Sequence, residues 1–153
     1  MNRTHKNFPV LIAAFSFCMV NLLTQFASAG PLDEARAQVH LNAVAAGELD
    51  ALMRDYEDDA YMDWVGGPLD GRYRGKSEIR AVWQKFIAAN AGNPRPVKFS
   101  KLEAHSNAKG ATVHASAEYG GTTPVKVWHA LTYRDGSLST EIWQIAPAIQ
   151  LAP

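Results

Sequence analysis

Residues Gly47–Phe86 read GELDALMRDYEDDAYMDWVGGPLDGRYRGKSEIRAVWQKF, and this stretch decides the fold. Leu49, Leu52, Met53, Tyr56 and Ala60 recur at the spacing of one helix face. Glu57, Asp58 and Asp59 place negative charge where the helix dipole is already negative, so the expected helix stops near Asp58. Ala60–Val65 is rich in aromatic and β-favouring side chains and reads as a strand. Gly66-Gly67-Pro68 turns the chain, and Arg72-Tyr73-Arg74 returns as a short partner strand. Gly75-Lys76-Ser77 opens a further helix, with Ser77 the expected N-cap and Ile79, Val82, Trp83, Phe86 and Ile87 its apolar stripe.

Working outward, Leu32–Ala46 forms a first helix whose expected buried stripe is Leu32, Ala35, Val39, Ala43 and Ala46, ended by Gly47. Asn90–Pro96 terminates the third helix, and everything beyond it reads as strands. Val97–Asn107 changes apolar parity between Phe99 and Leu102, which predicts a bulge or a strong twist. Ala111–Tyr119 alternates cleanly, Gly120-Gly121 turns the chain into Val125–Arg134, and Asp135-Gly136 is a hairpin signal before Leu138–Ile145. Three helices, an inserted hairpin and four antiparallel strands predict an α+β domain with its helices on one face of a curved sheet.

The first residues read differently. Arg3 and Lys6 precede an apolar run from Phe8 to about Leu23, and Ala27-Ser28-Ala29 supplies small residues before Gly30. Residues 1–29 are therefore expected to be a secretory signal peptide, with 30–153 a single domain exported to the periplasm or secreted, and with no membrane association after cleavage. The only cysteine, Cys18, lies in that run, so the mature domain must be stable without disulfides. Its 13 basic and 15 acidic side chains include no basic stripe, which argues against nucleic acid as a partner.

Gly47-Glu48-Leu49-Asp50, Tyr56-Glu57-Asp58-Asp59-Ala60, Gly71 with Gly75, Ile79-Arg80, Trp83 with Phe86, Tyr133-Arg134-Asp135-Gly136 and Glu141-Ile142-Trp143 together resemble the nuclear transport factor 2-like superfamily, in its SnoaL-like and ketosteroid-isomerase-like branch. The resemblance spans about Leu32 to Ile145. It implies a cone, three N-terminal helices packed on a strongly bent mixed, mainly antiparallel sheet, with a pocket between them. Relatives include isomerases, cyclases, dehydratases and proteins that only bind ligands, so fold alone does not select a function.

By that resemblance the isomerase base position falls on Trp64 and the cyclase acid–base position on Gln144, neither of which can take a proton at ordinary pH. Asp63 neighbours the first position, but alternation turns it to the opposite face unless a bulge intervenes. His129, in register with Val127, Leu131 and Tyr133, is expected to face the pocket, and His40 roughly matches a pocket tyrosine of the isomerases. The expected catalytic candidates are thus His129, His40 and Asp63. The expected ligand-binding set is Tyr56, Trp64, Trp83, Tyr133 and Gln144, with Phe86 assigned to the core. Trp128 and Trp143 are expected on the outer face of the sheet, where they would support a homodimer. The four histidines beyond residue 29 are scattered without ligand spacing, so no metal site and no cofactor are expected. The leading expectation is an apolar pocket for a small apolar, polyketide- or steroid-like molecule. A cofactor-independent isomerase, cyclase or dehydratase using His129 is the alternative.

Overall fold

The computed structural model describes residues 29–151. The expected signal peptide, residues 1–29, lies outside them but for Ala29, as does Cys18. No described helix is long and apolar enough to cross a membrane. The chain runs α1 (Ala29–Ala46), α2 (Leu49–Met53), β1 (Tyr56–Val65), β2 (Gly71–Arg74), α3 (Gly75–Ala88), β3 (Val97–Phe99), β4 (Glu103–Asn107), β5 (Gly110–Tyr119), β6 (Val125–Arg134) and β7 (Ser137–Ile145). One mixed sheet has the order β2-β1-β7-β6-β5-β3, with β4 also pairing with β5. Among the described strands, only β1 and β7 run parallel. Helix α1 packs on β4 and β5 while α3 packs on β1 and β2, so the helices cover one face of the sheet. The α+β class and the mixed, mainly antiparallel sheet are as expected.

Four local expectations are corrected, each for a physical reason. The second helix ends at Met53, and Tyr56–Ala60 belongs to β1. Residues four apart share a face in a helix and in a strand alike, so the Tyr56–Ala60 spacing fits both. Pairing decides between them: Tyr56 lies opposite Leu138, whose N–H bonds the Asp55 carbonyl at 2.7 Å. In α1, Ala43 is buried as expected, but so are Ala37, Leu41 and Val44 with Asp33 and His40, whereas Val39 is 46% exposed and Ala35 is exposed too. The buried face carries two polar side chains and the helix is alanine-rich all round, so an apolar count selects the wrong stripe. The N-cap of α3 is Arg74 rather than Ser77, and Glu78 Oε2 accepts the Arg74 N–H at 2.8 Å.

The fourth correction matters most for the interior. In β7 the register slips between the pairs Thr132–Thr140 and Tyr133–Leu138, leaving Ser139 as an extra residue with its Oγ on the Thr132 carbonyl at 3.0 Å. Leu138 points inward before this bulge, and Glu141 and Trp143 point inward after it. Trp143 is therefore fully buried and Gln144 exposed, the reverse of the expected parity. Of the two tryptophans expected on the outer face only Trp128 is there, half-buried beside His114. The parity change in Val97–Asn107 appears as a break between β3 and β4, bridged by Ser100, whose N–H bonds the Ser116 carbonyl at 2.9 Å.

Candidate functional site

In the interior, midway along β7, sits a carboxylate with no access to water. Glu141 is 0% exposed, and it draws together α1, β1 and β6. Tyr56 donates its hydroxyl hydrogen to Oε2 and in turn accepts the Trp83 indole N–H at 3.0 Å. His40 Nε2 stands 3.3 Å from Oε1, and His129 Nδ1 3.7 Å from the same oxygen, an ion-pair distance beyond hydrogen-bond reach. The other nitrogen of His129, Nε2, bonds the Tyr119 hydroxyl at 3.0 Å. With Nδ1 protonated toward the carboxylate, Nε2 accepts from Tyr119, which makes a chain Tyr119–His129–Glu141.

The electrostatics follow from this enclosure. Burial alone would raise the Glu141 carboxyl, but His40 and His129 outweigh it and hold the group down at about 2. Burial lowers His129, which favours the neutral imidazole, against the opposing pull of Glu141. Burial, reinforced by the Glu141 charge, pushes the Tyr56 and Tyr119 phenols far above their usual range, so both remain donors. An uncompensated buried carboxylate costs several kcal/mol. Here its oxygens meet hydrogen-bond partners from α1 and β1, with His129 of β6 at ion-pair distance.

Aromatic side chains seal this cluster. Trp143 meets the His129 ring edge-on at 4.5 Å and stacks on Trp64 at 4.7 Å, with Trp83 and Phe86 each 5.0 Å away. Beyond Trp64 and Phe86, at the mouth of the cone, lies a cavity of about 250 Å³. Leu69, Val125 and Ile145 form much of its wall, Arg95 and Lys85 border it, and no acidic side chain among the described residues does. The polar cluster and the cavity thus lie on opposite sides of the tryptophan layer.

The expected site residues separate accordingly. His129 and His40 are both buried and come together on Glu141, joined there by Tyr56, with Trp83 behind. Trp64 lines the mouth cavity, and Phe86, buried in the core as expected, borders it too. Tyr133 is buried toward the other end, where it borders a shallow cleft with Asn107 and Lys109. Gln144 faces away from the interior and can touch no ligand there. Asp63 also points outward, since the irregularity of β1 lies before Tyr61 and the register runs unbroken from Tyr61 to Val65. It accepts Arg72 Nε at 2.9 Å and the Tyr61 hydroxyl at 3.0 Å, and Arg72 holds its carboxyl below the usual range. On the outside of the sheet, pairing of β4 with β5 brings Glu103, His105 and His114 within 4.8 Å, a proximity invisible in their sequence spacing.

A family model for the SnoaL-like domain matches residues 37–140. The chain belongs to the SnoaL-like domain family. Solved structures agree on the fold. An NTF2-like protein of unknown function from Pseudomonas putida KT2440 is similar with a TM-score of 0.65 at 18% identity, covering 79% of this chain and 94% of that one. A SnoaL-like protein from Burkholderia thailandensis E264 has a TM-score of 0.60 at 18% identity, covering 76% and 96%. An NTF-2 like protein from Burkholderia xenovorans LB400 gives 0.60 at 18%, covering 80% and 88%. Comparison with curated protein sequences finds no match.

Three residues of this SnoaL-like domain escape the sequence reading. Glu141 supplies a carboxylate at neither of the two positions the resemblance suggested, and only the bulge at Ser139 reveals its direction. Tyr119 ends a cleanly alternating strand, and that alternation was the available signal for its inward side chain. Arg95 sits in a Pro-rich segment that looks like a connector, yet it is only 8% exposed. Nothing local in the sequence marks it as buried.

Proposed function

We propose that this SnoaL-like domain binds a small, largely apolar molecule in the mouth cavity, and that it does so after export from the cytoplasm. The observation that carries the binding reading is the cavity of about 250 Å³ with Trp64 and Phe86 as aromatic wall. Ligand sites are mostly apolar concavities with a few polar groups, and those for drug-sized molecules measure about 300–1,000 Å³. A single ring or a short chain suits this volume better than a steroid. Export is supported by the basic start, apolar run and Ala27-Ser28-Ala29 pattern, and N-terminal sequencing of the exported protein would test it by locating the cleavage site.

The alternative, an acid–base enzyme, draws support from the Tyr119–His129–Glu141 chain, because a positioned imidazole is the commonest general base. Against it, a general base must reach its substrate's proton, and Trp64 and Trp143 stand between the cavity and His129. Titration with straight-chain alcohols, followed by tryptophan emission, tests the binding reading. A saturable change is expected because Trp64 forms the wall, and Ala89→Trp, which fills the cavity from the end of α3, should remove it. The absence of any saturable response across the alcohol series would refute the reading.

A further inference from the structure

The mouth cavity is apolar in shape but one-sided in charge. Arg95 and Lys85 border it, and neither forms an ion pair with an acidic side chain among the described residues. Lys85 is exposed at the rim and needs no explanation. Arg95 does, because a guanidinium stays charged in a protein and a buried charge without a counter-ion is costly.

The surroundings hold Arg95 in place without neutralising it. Its backbone N–H bonds the Ala45 carbonyl at 2.7 Å, its Nη1 donates to the carbonyls of Gly120 at 2.9 Å and Thr123 at 3.4 Å, and its guanidinium lies 4.8 Å from the Phe86 ring centre. The turn is shaped to fit it. Gly121 has φ +112°, and a Cβ there would come within 2.9 Å of Nη1 and 2.6 Å of Asn90 Oδ1. Nε and Nη2 donate to no acceptor among the described residues. The edge of the planar guanidinium that carries Nε and Nη2, on a residue that borders an apolar cavity, matches the two oxygens of a carboxylate.

Resting on the binding reading above, we propose that the ligand is a small amphipathic carboxylate. Its apolar tail lies against Trp64, Leu69, Val125 and Ile145, and its carboxylate takes both free donors of Arg95. Lys85 at the rim favours approach of the anion. A phosphate monoester or a sulfonate fits less well, since its third terminal oxygen would face apolar wall rather than a donor.

Calorimetric titration of the protein with hexanoate, 1-hexanol and hexyl phosphate at neutral pH tests this. Hexanoate is expected to bind at least tenfold more tightly than 1-hexanol and more tightly than hexyl phosphate. Arg95→Met should abolish the preference for hexanoate over 1-hexanol, and Arg95→Lys, which keeps charge but loses the fork, should restore only part of it. If 1-hexanol saturates and hexanoate binds no more tightly, the carboxylate inference falls and the apolar pocket stands. If hexyl phosphate binds more tightly than hexanoate, the assignment to carboxylates falls. If neither hexanol nor hexanoate saturates, the binding reading itself falls, and this inference with it. The comparison among ligands on the unmodified protein decides the matter even if the Arg95 variants fail to fold.

Discussion

Replacing Glu141 by glutamine isolates the charge buried midway along β7 from its shape. The carboxylate takes the Tyr56 hydroxyl hydrogen on Oε2 and faces His40 at 3.3 Å and His129 at 3.7 Å on Oε1. A glutamine keeps the volume but has one acceptor oxygen, and its NH₂ must oppose one of these donors. Hydrogen bonds to a charged group contribute about 1.5–3 kcal/mol each, and breaking a buried pair costs about 3–5 kcal/mol. Removing the buried charge offsets part of this loss by ending its desolvation penalty. A net destabilisation of about 3 kcal/mol is expected at pH 7, or a fall in Tm of about 10 °C for a domain of this size. The pH dependence has a definite sign. The folded-state pKa of Glu141, at about 2, lies below that of an unfolded glutamate, so the ionised group stabilises the fold above the unfolded value and that stabilisation is lost as pH falls through the folded value. The gap between wild type and Glu141→Gln should therefore be full above about pH 4.3 and narrow steadily below it. Urea unfolding followed by circular dichroism from pH 7 to pH 2.5 measures both. A variant within about 0.5 kcal/mol of wild type at pH 7, or a gap that stays constant into acid, would refute the argument that these neighbours hold the carboxylate as an anion.

Two further substitutions separate the interior from the outer face and the turn from the cavity. Trp143→Ala removes a side chain that touches Trp64, Trp83, Phe86, Tyr119 and His129, and should cost about 3–5 kcal/mol in urea unfolding. Trp128→Ala, on the half-buried outer surface, should cost about 1 kcal/mol or less, and the opposite ranking would overturn the inward placement of Trp143. Gly121→Ala forces a Cβ into a positive-φ turn against Asn90 and Arg95, so a loss of about 1–3 kcal/mol is expected. It should also weaken hexanoate binding more than 1-hexanol binding, since the displaced group is the guanidinium, and equal effects on both ligands would argue against that route.

The amino-acid sequence by itself determined the class of this domain. The helix stripe of Ile79, Val82, Trp83 and Phe86, the alternation of Ala111–Tyr119, and the Asp135-Gly136 turn are local patterns, and each appears where its period or turn chemistry puts it. Asp135 and Gly136 both adopt positive φ, as a tight hairpin of that sequence requires. The directions of Met62 and Trp64 inward and Asp63 outward were legible for the same reason, because β1 keeps strict alternation over those residues. Tertiary structure decided the rest. Whether Tyr56 ends a helix or begins a strand depended on a parallel partner, β7, more than eighty residues away in sequence. Which face of α1 is buried depended on the Glu141 carboxylate waiting for His40. The single extra residue at Ser139 exchanged the fates of Trp143 and Gln144 and turned Glu141 inward, since one inserted residue inverts every side chain beyond it. Arg95 borders the cavity only because the Gly120–Gly121 turn closes over a connector and holds its guanidinium there. Periodicity reports on neighbours along the chain, whereas the polar interior and the mouth of this cone are made by residues that meet only after the sheet has bent.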